Sequence, residues 1–120
     1  MGLHRDDESG EHACDGAAVI QFEDGQIYQA DCFDILPTIG KVDLVLADMP
    51  YGTTQAAWDT PMELPLLWKA INHVRSPSTP IVLTAQTPFD KVLGASNVAE
   101  LKYEWIWEKT EATGHLNSKK

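Results

Sequence analysis

Long apolar runs are absent from this 120-residue chain, and none approaches the roughly 18 residues that a membrane-spanning helix needs. The first 16 residues are charged where a secretory signal would be apolar, so the expected compartment is the cytoplasm and no membrane partner is expected. Cysteine is scarce. Cys14 and Cys32 allow at most one bridge, which excludes a small disulfide-held scaffold and leaves both read as free thiols. Basic residues are few: nine Lys and Arg against eighteen Asp and Glu give a formal charge of −9, which repels polyanions at long range. The length excludes a two-domain enzyme, and there are no internal repeats.

What is present is a core-forming composition, 43% hydrophobic and 22% charged, far from that of a disordered chain. The acidic excess is partly local. Asp6, Asp7, Glu8, Glu11 and Asp15 face only Arg5 within residues 1–16. With no apolar periodicity, that stretch reads as a flexible acidic tail ahead of a folded part spanning 17–120. His4, His12 and Cys14 lie in the tail without a fourth ligand at metal spacing, so no metal is expected.

From Val19 onward, apolar and polar residues alternate around Asp24-Gly25, which predicts a hairpin of two short strands about a two-residue turn. One or two helical turns follow at Cys32, limited by Pro37. Residues 42–47 form a nearly continuous aliphatic run, the pattern of a strand covered on both faces of a parallel sheet. Leu64, Leu67, Trp68, Ile71 and Val74 recur at helical spacing and predict an amphipathic helix over 63–75, capped by Asp59 or Thr60. After a turn rich in breakers, 81–85 read as a second buried strand. Residues 89–96 read as a helix, and the alternation in 103–108 as a further strand. Strand, helix, strand, helix, strand argues for an α/β fold with crossovers and a mostly parallel sheet, helices on both faces. In such sheets ligands bind beyond the carboxyl ends of the strands, which directs attention to Asp48-Met49-Pro50-Tyr51, immediately after the first buried run.

That tetrapeptide combines a carboxylate, a rigid turn that aims the preceding carbonyl, and an aromatic face. Together they suit a flat amine: Asp48 and the Met49 carbonyl accept from an exocyclic NH₂ while Tyr51 stacks on its ring. The bland alternative is an Asp-x-Pro turn that merely ends a strand. Trp68, Trp105 and Trp107 sit at periodic positions and read as core, which leaves Trp58, in a loop, as the one available for stacking.

At these residues the sequence resembles a family. The segment 42–51 is similar to the Asp-Pro-Pro-Tyr motif region of DNA amino-methyltransferases, in the permuted, phage- and prophage-like subgroup where this motif precedes the cofactor glycine motif. Tyr28-Gln29-Ala30-Asp31-Cys32, Trp58-Asp59, Gln86-Thr87-Pro88-Phe89, Tyr103-Glu104-Trp105-Ile106-Trp107-Glu108-Lys109 and Leu116-Asn117-Ser118-Lys119-Lys120 look like other members in the same order. The resemblance implies methyl transfer from S-adenosylmethionine to adenine N6 or cytosine N4 of DNA, with the base flipped out of the duplex. Carried over by position, Asp48, Met49, Pro50 and Tyr51 are catalytic, Asp31 and Asp48 bind cofactor, and Tyr51, Gly52 and Trp58 bind substrate.

The sequence departs from the family pattern twice. Met49 stands where the family has its first proline, and no Phe-x-Gly-x-Gly segment or basic target-recognition region is present. What the resemblance implies is therefore the N-terminal catalytic portion of a Rossmann-like methyltransferase fold, incomplete, with an exposed apolar sheet edge through which copies would pair. Two other readings stay open: a non-catalytic methyltransferase remnant, and a small protein-binding module.

Overall fold

The computed structural model describes residues 18–111; the acidic tail of 1–16, with His4, His12 and Cys14, and the 116–120 segment lie outside them. The described chain is a small mixed α/β structure with two separate two-stranded sheets. β1 (Ala18–Gln21) and β2 (Gln26–Gln29) pair antiparallel, with Val19 opposite Tyr28 and Ile20 opposite Ile27. The chain reverses over residues 22–25, where the Phe22 N–H donates to the Gly25 carbonyl at 2.7 Å. The tight turn is therefore centred on Glu23-Asp24, not on Asp24-Gly25 as expected. Gly25 has no positive φ, so its left-handed freedom, the reason for placing the turn there, is not used.

α1 (Cys32–Ile35) runs into a 3-10 turn over Leu36–Thr38 with Pro37 in its first positions, as the sequence predicts. Cys32 is a free, exposed thiol. β3 (Val45–Ala47) and β4 (Ile81–Leu83) pair in parallel, with Val45, Leu46 and Ala47 opposite Ile81, Val82 and Leu83. Both strands are shorter than their apolar runs, and Val42 joins only through an isolated bridge to Arg75. The connection between them is α2 (Leu64–Val74), and β4 leads into α3 (Phe89–Ser96).

The core explains this arrangement. Leu67 and Ile71, four apart on α2, meet Phe89 and Leu93, four apart on α3, together with Met49; spacing of four puts each pair on one helix face. Val45, Ala47, Ile81 and Leu83 pack against that cluster, and alternate strand residues share one sheet face. Both helices thus cover the same side. The expected placement of helices on both faces is corrected: Leu46, on the opposite face, is 68% exposed.

Two further expectations fail for identifiable reasons. The cap of α2 is Glu63 without a side-chain hydrogen bond, and Pro65 occupies its first turn, where a missing N–H costs nothing. Residues 103–108 form no strand. Trp105 and Trp107 are 76% and 84% exposed instead of core, since no sheet edge pairs with them among the described residues. Among the described residues, β2 pairs only with β1, and β3 and β4 pair only with each other, which leaves strand edges unpaired there. No helix among the described residues is long and apolar enough to cross a membrane.

Candidate catalytic site

The site begins where β3 ends. Asp48 is the first residue past β3 and Thr84 the first past β4, and the parallel register that pairs Ala47 with Leu83 makes them neighbours. The Thr84 N–H donates to the Ala47 carbonyl at 3.0 Å, extending the ladder to that position. Asp48 Oδ1 accepts from the Tyr51 hydroxyl at 2.6 Å and from the Thr84 hydroxyl, while the two hydroxyl oxygens lie 2.5 Å apart. Three oxygens share two hydrogens, so at most two of the three edges carry one at a time. The charged acceptor is favoured. Accordingly, the Thr84 hydroxyl first and the Tyr51 hydroxyl second hold the Asp48 carboxyl below the ordinary carboxylate range. Burial first, and donation to Asp48 second, push the Tyr51 phenol up. Neither Asp48 Oδ2 nor the Met49 carbonyl takes a hydrogen bond among the described residues.

Between the exposed Asp48 and the half-buried Tyr51, Met49 points into the core, 6% exposed. Tyr51 stacks on Phe89, ring centroids 5.6 Å apart and planes inclined by 30°. Tyr51 and Phe89 line an open cleft of about 500 Å³ together with Gly52, Pro61, Met62 and Pro88, with Thr53 and Thr87 as its polar lining. Gln86 donates to the Thr53 hydroxyl, joining the two rims.

The loop after Tyr51 is organised by Asp59. Its carboxylate accepts the N–H groups of Gly52, Thr53 and Thr54 at 2.8, 2.9 and 2.6 Å. The Thr54 side chain is the largest cause of the lowered Asp59 pKa; the three N–H groups add to it against burial, and the carboxyl settles at about 2. Asp59, expected as a helix cap, is a loop clamp. Gly52 adopts φ +67, and a Cβ there would lie 2.2 Å from Pro61 Cγ. That is a position for glycine on both counts.

The structure thus brings together Asp48, Met49, Pro50, Tyr51 and Gly52. Trp58 lies in the clamped loop, 74% exposed and free to stack. Asp31 is elsewhere: it caps α1 by accepting the Phe33 N–H at 2.8 Å. Sequence reasoning missed Thr84, the stacking role of Phe89 and the clamp role of Asp59. For Thr84 a signal existed, because it is the first polar residue after the second buried run, just as Asp48 is after the first. Among the described residues no group of three or more His, Cys, Asp or Glu could hold a metal ion. No protein-family model, curated protein or solved structure matches the chain.

Proposed function

We propose that the chain carries the catalytic portion of a DNA amino-methyltransferase, acting on adenine N6 or cytosine N4. The observation that carries this reading is the Asp48-Met49-Pro50-Tyr51 turn at the carboxyl end of a parallel strand, beside a cleft walled by Tyr51 and Phe89. Asp48 Oδ2 and the Met49 carbonyl are two acceptors on successive residues, which suits the two hydrogens of one exocyclic amine. Accepting both turns the nitrogen lone pair away from the acceptors and toward an incoming methyl group. Tyr51 and Trp58 offer aromatic faces to a base removed from its stack. The α/β arrangement is read as part of a Rossmann-like sheet, with β3, α2 and β4 forming one crossover unit.

S-adenosylmethionine supplies the methyl group, carried on a positively charged sulfur. The residues present fit such a molecule: a cleft of about 500 Å³ is within the range of small-molecule sites, its walls are aromatic and apolar, and an exposed carboxylate lies next to Tyr51. Asp48 is the acid that would face it. Asp31, the second acid the resemblance points to, is committed to its helix cap.

Calorimetric titration of S-adenosylmethionine into the 120-residue chain, with Asp48→Ala alongside, tests the reading. Saturable micromolar binding that weakens in the variant supports it. Absence of binding up to millimolar cofactor by a folded chain overturns it. That second outcome favours the protein-binding reading, which the exposed Tyr103, Trp105, Ile106 and Trp107 support.

A further inference from the structure

We infer that Thr84 is a positioning residue of this site: its hydroxyl fixes the Asp48 carboxylate and the Tyr51 ring in one orientation, so that a single carboxylate oxygen, Oδ2, faces the substrate amine. The inference rests on the methyltransferase reading for the identity of that amine, and on geometry for everything else.

A carboxylate at the end of a strand is free to turn about its side-chain torsions, and each orientation presents a different oxygen. Two donors on the same oxygen remove that freedom. Tyr51 alone, three residues from Asp48, would move with the turn that carries both. Thr84 directly follows β4 and is tied to β3 through its own N–H to the Ala47 carbonyl, so it refers the carboxylate to the sheet. A β-branched side chain is stiff at χ1, which makes threonine a better reference than serine for the same hydroxyl. The Tyr51 phenol donates to the same Asp48 oxygen and Phe89 stacks on its ring, so once Thr84 holds the carboxylate the phenol is fixed at its oxygen and on one face. Among the described residues, the Asp48 carboxyl responds to the two hydroxyls and to burial, with no charged side chain acting on it. A change at Thr84 is therefore read directly at Asp48.

The test is an NMR pH titration of the Asp48 side-chain carboxyl carbon in the full chain, for wild type, Thr84→Val and Thr84→Ser. Valine keeps the shape and removes the hydroxyl; serine keeps the hydroxyl. The expected result is that the Asp48 midpoint moves up toward its ordinary value in Thr84→Val and stays close to wild type in Thr84→Ser. Unchanged midpoints in Thr84→Val, with folding intact by amide spectra, overturn the inference. Cofactor titration is run on the same three proteins. If wild type binds S-adenosylmethionine and Thr84→Val binds it equally with Asp48 shifted, Thr84 tunes the acid without positioning it and the inference is overturned. If wild type fails to bind at all, the methyltransferase reading falls, while the Asp48 midpoints still decide whether Thr84 holds the carboxylate.

Discussion

Replacing Gly52 by alanine is expected to destabilise the protein by about 2–5 kcal/mol, whereas the same change at Gly25 or Gly40 does not. The estimate has two parts. At φ +67 an alanine pays roughly 1–2 kcal/mol for the left-handed conformation. Its Cβ would also sit 2.2 Å from Pro61 Cγ and 2.7 Å from Cδ, against about 3.5–4.0 Å for carbon atoms in comfortable contact. The proline ring has no flexible stem on which to swing away, so the backbone around it must move. Overpacking of this kind costs typically about 1–3 kcal/mol. Gly25 and Gly40 have no atom within 4 Å of a built Cβ and no positive φ, so alanine there is expected to be neutral or stabilising by about 0.4–1 kcal/mol. Urea unfolding followed by tryptophan fluorescence compares the midpoints of the three variants. Adding Pro61→Ala to Gly52→Ala removes the overlap and leaves only the conformational part, so about half of the loss is expected to return. A Gly52→Ala midpoint equal to that of Gly25→Ala would refute both the loop conformation and its packing against Pro61.

Ile71→Ala empties a position that is 2% exposed beneath the site and is expected to cost about 2–5 kcal/mol, while Lys69→Ala on the exposed side of the same helix stays within about 0.5 kcal/mol; the same unfolding assay reads both. Asp59 has a folded pKa of about 2, below an unfolded value of about 3.9, so its stabilising contribution is full above about pH 5 and is lost progressively as pH falls toward 2. Acid unfolding of Asp59→Asn should therefore show a weaker loss over that window than wild type. Trp105→Ser with Trp107→Ser is expected to lower concentration-dependent self-association in sedimentation velocity with little change in unfolding midpoint, because both rings are largely exposed; a large fall in midpoint would show that they are packed.

The parts of the fold legible in the sequence are those that a local pattern decides. α3 matches the expected 89–96 at both ends, and α2 falls within one residue of 63–75 at each end, since apolar spacing of three and four marks a helix face without reference to the rest of the chain. The two parallel strands were legible as short aliphatic runs, but their expected cover on both faces was not met, since Leu46 is 68% exposed. What was not legible depends on partners. Residues 103–108 carry a strand pattern, but a strand exists only when an edge accepts it, and no pattern in the segment says whether one does. Asp59 precedes an amphipathic helix, as a cap would; four residues, Pro61 among them, separate it from the first turn, and its carboxylate finds three loop N–H groups instead. Thr84 becomes visible only once the register of β3 on β4 is known.

Met49 links the fold to the site. Where the resembled family has a proline to stiffen the motif, this chain has a flexible side chain, and the sequence alone suggests a looser turn. The structure supplies the stiffness by another route. Met49 is buried among Leu67, Ile71, Phe89 and Leu93, and full burial of such a side chain is worth roughly 1.5–3 kcal/mol, more than the roughly 0.4–1 kcal/mol that a well-placed proline ring contributes by restricting the unfolded chain. Because Met49 lies between Asp48 and Tyr51, anchoring it inward constrains both neighbours. Its contact with Phe89's helix also places the ring on which Tyr51 stacks. The register of β3 on β4 matters equally: a slip by one residue would take Thr84 away from Asp48 and turn Leu46 toward the helices in place of Val45 and Ala47. With only three paired positions in that ladder, it is the packing of α2 and α3 on one face, not the hydrogen bonds alone, that selects the register. The geometry of the acid, the hydroxyl and the phenol is thus a consequence of which side chains the core accepts.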